Sequence, residues 1–149
     1  MDVVGPLVQV LGAVALLAPS PAPGPWTATL DHLDVVRAAA FARRDPAALD
    51  DVYAPGSALA AEDAAVMGAW QARGLRLGPV RTRVLRASVV TQDVDRVVLD
   101  VVERLEPLRA RTADGRWVEL PRDGATQRRV VLTRAADRWR VAAVERVSG

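Results

Sequence analysis

The side chains able to do chemistry in this 149-residue chain are few and widely spaced. The absence of cysteine excludes disulfides, thiolate nucleophiles and zinc–thiolate sites. His32 is the single histidine, so no site can use two imidazoles, and its place on the polar side of a predicted helix indicates a solvated side chain without an orienting carboxylate. Glu62, Asp63 and the isolated aspartates lack metal-ligand spacing. The sequence therefore predicts no catalytic residue, no metal site and no cofactor.

Four side chains are weak candidates for the lining of a small-molecule pocket: Tyr53, Trp70, Asp100 and Trp117. Tyr53 and Trp70 belong to predicted helices that can border a pocket mouth. Asp100 interrupts an apolar strand, and a carboxylate buried there would have a raised pKa. Each of these has a simpler structural interpretation. Tyr53 can be a core ring and Trp70 an anchor between helix and sheet, while Asp100 can face water or pair with a neighbouring arginine.

Composition predicts one folded domain. Half of the residues are hydrophobic and 26% are charged, which is ordinary for a globular protein. The basic residues are all arginine, the formal net charge is only +2, and the arginines are interleaved with acidic residues. No basic stripe suited to a phosphate backbone is present, so nucleic acid is not an expected partner.

The first 25 residues differ from the rest of the chain. Residues 3–18 are almost entirely apolar and match the apolar centre of a secretory signal, whereas residues 19–25 are rich in proline and favour an extended linker. The start Met1-Asp2 lacks the positive charge of a signal, so either the natural start lies further upstream and supplies an arginine, or the segment is something else. A first helix or strand packed on the domain is the structural alternative. We expect a leader or membrane segment at 1–18, a linker at 19–25 and a domain at 26–149. This arrangement predicts a protein outside the cytoplasm or anchored to a membrane. If residues 1–18 are not a leader or membrane segment, we expect a cytoplasmic protein.

Hydrophobic periodicity divides the domain into helices followed by strands. Apolar residues at helical spacing and the caps Pro46, Ser57 and Gly74 predict helices at 26–44, 46–53 and 57–73. Runs rich in Val, Thr and Leu then predict strands at 80–90, 94–105, 126–134 and 138–147, and a pairing within 109–120 around Asp114-Gly115. Alternation in the last strand predicts one shared face for Trp139, Val141, Ala143 and Val147.

This order of elements, ending in the strand RWRVAAVERV at 138–147, resembles the nuclear transport factor two-like fold, which includes ketosteroid isomerase-like and SnoaL-like proteins. The hairpin VVLTRAADRWRVAAVE is also similar to the ending of small actinobacterial extracytoplasmic domains. The resemblance covers residues 26–147 and implies an α+β cone with helices packed on a curved antiparallel sheet. That fold carries isomerases, dehydratases, carriers and protein-binding modules, so it does not select a function.

Two functional hypotheses follow. The first is a non-catalytic, exported or membrane-tethered domain that acts through protein contacts or as a scaffold, with an envelope protein as its partner and residues 3–18 in the membrane. The second is a pocket protein or an isomerase-like or dehydratase-like enzyme, in which the four pocket candidates converge. Self-association through the open face of the sheet would give a homodimer. A concave face filled by its own side chains favours the first hypothesis, and an open cavity with one buried ionisable group favours the second.

Overall fold

The computed structural model describes residues 24–120 and 124–147. The predicted leader at 1–18 and residues 19–23 of the predicted linker lie outside the described residues. Within the described ranges, no helix has both the length and the apolar character needed to span a membrane.

Two α-helices and a short 3₁₀ helix form the N-terminal part, as the sequence predicts. Helix α1 spans Pro25–Arg43, the 3₁₀ helix spans Pro46–Asp51, and α2 spans Ala58–Ala72. Proline stands in the first turn of both α1 and the 3₁₀ helix, where its missing N–H is not needed. The predicted cap Ser57 accepts a hydrogen bond from the Leu59 N–H at 3.3 Å.

Seven strands follow, in two antiparallel sheets. They are β1 Arg76–Leu77, β2 Thr82–Gln92, β3 Arg96–Leu105, β4 Arg109–Arg111, β5 Trp117–Glu119, β6 Thr126–Ala135 and β7 Arg138–Arg146. The main sheet has the order β2-β3-β6-β7, and a small sheet has the order β1-β4-β5. The pairing predicted around Asp114-Gly115 is the β4–β5 pair. Strand β1 was not predicted, since two residues leave too little periodicity to detect.

The main sheet has an inner face, which the helices cover, and an outer face. Inner residues include Leu99, Val101, Val130 and Leu132, which belong to the hydrophobic core together with Phe41 and Leu49 from the helical part. Outer residues alternate with them and include Val98, which is paired with Val131. Helices packed against one face of an antiparallel sheet confirm the predicted α+β fold class.

The predicted face of the last strand is correct only in its first half. Trp139 and Val141 lie on the inner face, but a register shift pairs Val141 with Leu132 and Ala143 with Val131, which leaves Ala142 as an extra residue. Val144 therefore takes the next inner position, opposite Val130. The prediction for Ala143 and Val147 was wrong, because a β-bulge reverses the alternation.

Candidate functional site

A cavity of about 390 Å³ lies between α1, α2 and the inner face of the main sheet. This volume lies within the usual range of small-molecule pockets. Its walls are apolar and polar in nearly equal measure and come from every layer of the fold. The apolar part includes Leu30, Leu33, Val52, Leu59, Val130 and Val141. The concave face is therefore open and is not filled by its own side chains.

Periodicity explains why charged groups reach this cavity. On α1 the lining residues follow the spacing of one helical face, and they are Leu30, Leu33, Asp34 and Arg37. On β3 every second residue faces inward, so Leu99 and Val101 are followed by Glu103. Strand β6 brings Arg128 to the same face. The cavity is consequently lined by apolar and by charged side chains.

The side chain of Asp63 on α2 is the centre of a closed hydrogen-bonded network. The Nε and Nη2 atoms of Arg37 donate to its two oxygens at 2.7 and 2.8 Å. The Tyr53 hydroxyl donates to Oδ2 at 2.6 Å. Burial raises the pKa of Tyr53 well above its ordinary value, and the hydrogen bond to Asp63 adds to this although Arg37 opposes it. Tyr53 is thus a neutral donor, and the network ties α2 to α1.

The backbone fixes Tyr53 in this position. The segment after the 3₁₀ helix runs along the edge of β7, where Tyr53 forms a parallel bridge with Val141. The Val141 N–H donates to the Val52 carbonyl and the Ala54 N–H donates to the Val141 carbonyl, both at 2.8 Å. The ring therefore enters the cavity wall from a backbone held on both sides.

Asp34 lies in the middle of α1 and is held against the beginning of β2. Its Oδ2 accepts hydrogen bonds from Arg81 Nε at 2.9 Å and from the Thr82 N–H at 3.0 Å. These bonds attach α1 to the beginning of β2. The carboxylate of Asp34 therefore has a structural role.

Glu103 and Arg128 form a looser pair on the cavity wall. Arg128 lies opposite Val101 and Glu103 opposite Thr126, so the two charges meet diagonally across the β3–β6 pair. Arg128 Nε and Glu103 Oε1 are 3.2 Å apart, but Nε is enclosed and has no aligned acceptor among the described residues. Burial raises the pKa of Glu103 and nearby Asp34 raises it further, while Arg128 and Arg37 oppose the change. The carboxyl of Glu103 therefore holds its proton to a higher pH than an ordinary glutamate does.

The four predicted pocket residues are dispersed. Tyr53 lines the cavity, whereas Trp70, Asp100 and Trp117 do not. Trp70 is half-buried on α2, and Asp100 lies on the outer face, where Arg129 Nε and Nη2 donate to it at 3.0 and 3.4 Å. Trp117 is 53% exposed on β5 under the guanidinium of Arg109. The predicted convergence on one cavity is therefore not found, because β3 turns Asp100 outward and β5 belongs to the other sheet.

Sequence reasoning missed the charged lining residues on α1, α2, β3 and β6. The spacing of Leu30, Leu33, Asp34 and Arg37 was a detectable signal for α1. His32 is exposed on α1, and within residues 24–120 and 124–147 no cluster of three or more metal-binding side chains is present. What the site offers is an amphipathic cavity in which a carboxyl of raised pKa lies beside a guanidinium.

Solved structures with a similar fold come from several sources, although neither a family model nor a curated protein matches the sequence. The intermembrane space region of the chloroplast protein ARC6 aligns with a TM-score of 0.55 at 11% identity, covering 85% of this chain and 100% of that one. Aln2 from a Streptomyces species aligns with a TM-score of 0.54 at 16% identity, covering 83% and 93%. An uncharacterized protein with a cystatin-like fold from Caulobacter vibrioides has a TM-score of 0.49 at 13% identity, covering 84% and 92%. The chain has the nuclear transport factor two-like α+β fold that the resemblance of its sequence implied.

Proposed function

We propose that this domain binds a small amphipathic molecule in the cavity between its helices and the inner face of the main sheet. The observation that carries the proposal is an open cavity of about 390 Å³ whose wall combines leucine and valine side chains with the Glu103–Arg128 pair. A purely structural domain of this size gains stability by filling such a space, since each void in a core loses packing energy. The open concave face therefore favours the pocket hypothesis over the scaffold hypothesis.

The lining sets the character of the ligand. Leucine and valine side chains provide the apolar part of the wall. The polar part includes the charged side chains of Asp34, Arg37, Glu62, Asp63, Glu103 and Arg128. Acid–base chemistry on such a ligand would use Glu103, whose pKa is raised by burial.

Two neighbouring valines on β6 provide a matched test. Val130 lines the cavity and Val131 lies on the outer face of the same strand. We expect 2-naphthol to bind the wild type and the Val131→Phe variant, and to lose at least tenfold in affinity for Val130→Phe, because a ring at 130 fills the cavity. Calorimetric titration measures the three affinities, and circular dichroism checks that both variants fold. Equal affinity for both variants would place binding elsewhere.

The outer face of the main sheet supports a second candidate function, self-association. No described helix covers this face, where the partly exposed side chains of Val131 and Ala143 are paired across β6 and β7. A homodimer through this face is a prediction that light scattering tests directly. A monomeric mass at high protein concentration contradicts it, and a dimer that Val131→Arg converts to a monomer supports it.

Export or membrane attachment through residues 3–18 is a further part of the proposal, and it depends on the sequence alone. Expression of the full chain with an extended upstream start, followed by cell fractionation, tests it. Protein in the membrane or outside the cytoplasm supports attachment or export. Protein found only in the cytosol ends this part of the proposal without affecting the cavity.

A further inference from the structure

The charged groups around the cavity differ in how much hydrogen-bonding capacity they have left. Asp63 accepts three hydrogen bonds from Arg37 and Tyr53. Asp34 accepts two, from Arg81 and Thr82. In both cases the carboxylate is already satisfied by the protein, and a ligand would have to break a good bond to engage it. Glu62 also lines the cavity, but it is exposed to solvent, where water screens its charge.

Glu103 and Arg128 are in the opposite state. Within the described part of the chain, no hydrogen bond with good geometry joins them to each other or to a third residue, although they are 3.2 Å apart. Their side chains are 21% and 36% exposed, so the carboxylate and the terminal guanidinium nitrogens remain within reach of a ligand. A ligand group can bond to both without displacing an existing hydrogen bond.

We infer that the polar end of the ligand is an uncharged hydroxyl group, which accepts a hydrogen bond from the guanidinium of Arg128 and donates one to the carboxylate of Glu103. This inference depends on the proposed function of the cavity. A hydroxyl suits the pair because it is a donor and an acceptor at one atom. A hydroxyl can therefore donate to the carboxylate of Glu103 and accept from the guanidinium of Arg128, whereas a single charged group is attracted to one of them and repelled by the other.

Charge balance argues against an ionic ligand. Glu103 and Arg128 neutralise each other, so a ligand carboxylate or ammonium would add an unpaired charge to a partly buried site. A purely apolar ligand would cover both groups and leave them without water or a partner, which is also unfavourable. The uncharged hydroxyl avoids both penalties.

Four naphthalene derivatives test this preference on one apolar body. They are 2-naphthol, naphthalene, 2-naphthoate and 2-naphthylmethylammonium, each titrated calorimetrically into the full chain at neutral pH. We expect 2-naphthol to bind about tenfold more tightly than naphthalene, which is the gain that hydrogen bonds to charged groups provide. The two ions should bind no better than naphthalene.

Variants of Glu103 and Arg128 test whether this pair causes the preference for 2-naphthol over naphthalene. Glu103→Gln and Arg128→Met should each reduce the preference for 2-naphthol over naphthalene while leaving naphthalene binding in place. Asp100→Asn and Arg129→Met are matched controls, because they alter a carboxylate–guanidinium pair on the outer face of the same two strands and should change neither affinity.

The outcomes separate the inference from the proposed function. Binding of none of the four probes overturns both. Equal binding of 2-naphthol and naphthalene overturns the inference and leaves the cavity as a binding site. Tighter binding of 2-naphthoate than of 2-naphthol also overturns the inference, because the site would then act as a positive charge. Tighter binding of 2-naphthylmethylammonium overturns it too, because the site would then act as a negative charge.

Discussion

Strands β3 and β6 carry two pairs of opposite charge, one on each face of the main sheet. On the outer face Asp100 and Arg129 stand directly opposite each other and form two hydrogen bonds. On the inner face Glu103 and Arg128 meet diagonally without an aligned hydrogen bond. Each pair joins a carboxylate to an arginine, yet the outer pair is fully hydrogen-bonded within itself and the inner pair is not.

The difference arises from what lies above each pair. The outer pair faces water, which screens its charges and makes the pair worth little to stability. The inner pair lies beside the cavity, where burial raises the pKa of Glu103. Both pairs consist of a carboxylate and an arginine, so residue type does not distinguish them. The inner pair is a candidate binding group because it lies beside a cavity and its hydrogen bonds are incomplete.

The largest expected effect concerns packing on the two faces. Leu99→Ala on the inner face should lower the free energy of unfolding by about 4 kcal/mol, because Leu99 is fully buried in the core. Val131→Ala on the outer face should lower it by about 1 kcal/mol, since its side chain is only partly buried. Urea denaturation measures both values. Equal losses would mean that the outer face is covered as completely as the inner one.

The next effect concerns the network around Asp63. Asp63→Asn should cost about 3 kcal/mol, because it leaves Arg37 without its partner beside the cavity. Tyr53→Phe should cost about 1 kcal/mol, since it removes one hydrogen bond of the same network. Both are measured by urea denaturation, and a loss for Tyr53→Phe as large as for Asp63→Asn would contradict the central place of Asp63.

A smaller effect is the pH dependence contributed by Glu103. Its pKa is raised in the folded protein, so the folded state holds this proton at pH values where the unfolded chain has released it. The stability contributed by this group is complete below the unfolded pKa and is lost as the pH rises through the folded pKa. Wild-type stability relative to Glu103→Gln should therefore fall as the pH increases upward from the ordinary glutamate pKa of 4.5. Thermal unfolding of the two proteins across this pH range measures the difference in stability. A difference that rises with pH would contradict a raised pKa of Glu103 in the folded protein.

The smallest expected effect is on the outer face. Asp100→Asn should change the free energy of unfolding by less than about 0.5 kcal/mol, because the pair is solvent-exposed. High salt should reduce even this change. A loss comparable to that of Asp63→Asn would remove the distinction between the two faces.

The sequence predicted the elements well and the site poorly, for one physical reason. Helix caps and turn residues are local signals, and Ser57, Pro46 and Asp114-Gly115 lie where they were expected. The sequence of a strand shows which face is buried only if the other face is polar. Strand β3 is apolar on both faces, since Val98 on its outer face is as buried as many core residues. Alternation therefore did not show that Glu103, and not Asp100, faces the helices.

Other features depend on contacts distant in sequence. Asp63 is buried because Arg37 and Tyr53 come from other elements to meet it. Trp117 joined the pocket candidates as an aromatic residue, but its strand pairs with β4 in the small sheet and places it in solvent. The bulge at Ala142 is set by pairing with β6, which the alternation within β7 does not reveal.

The arginine side-chain signals in a proton–nitrogen correlation spectrum test the central claim most directly. Arg128 and Arg129 are adjacent in the chain, and their Nε–H groups lie on opposite faces of one strand, so each serves as the reference for the other. On addition of 2-naphthol, our account predicts a saturable shift of the Arg128 Nε–H signal and an unchanged Arg129 signal. A saturable shift of Arg129 with Arg128 unmoved, or binding that moves neither, would contradict it.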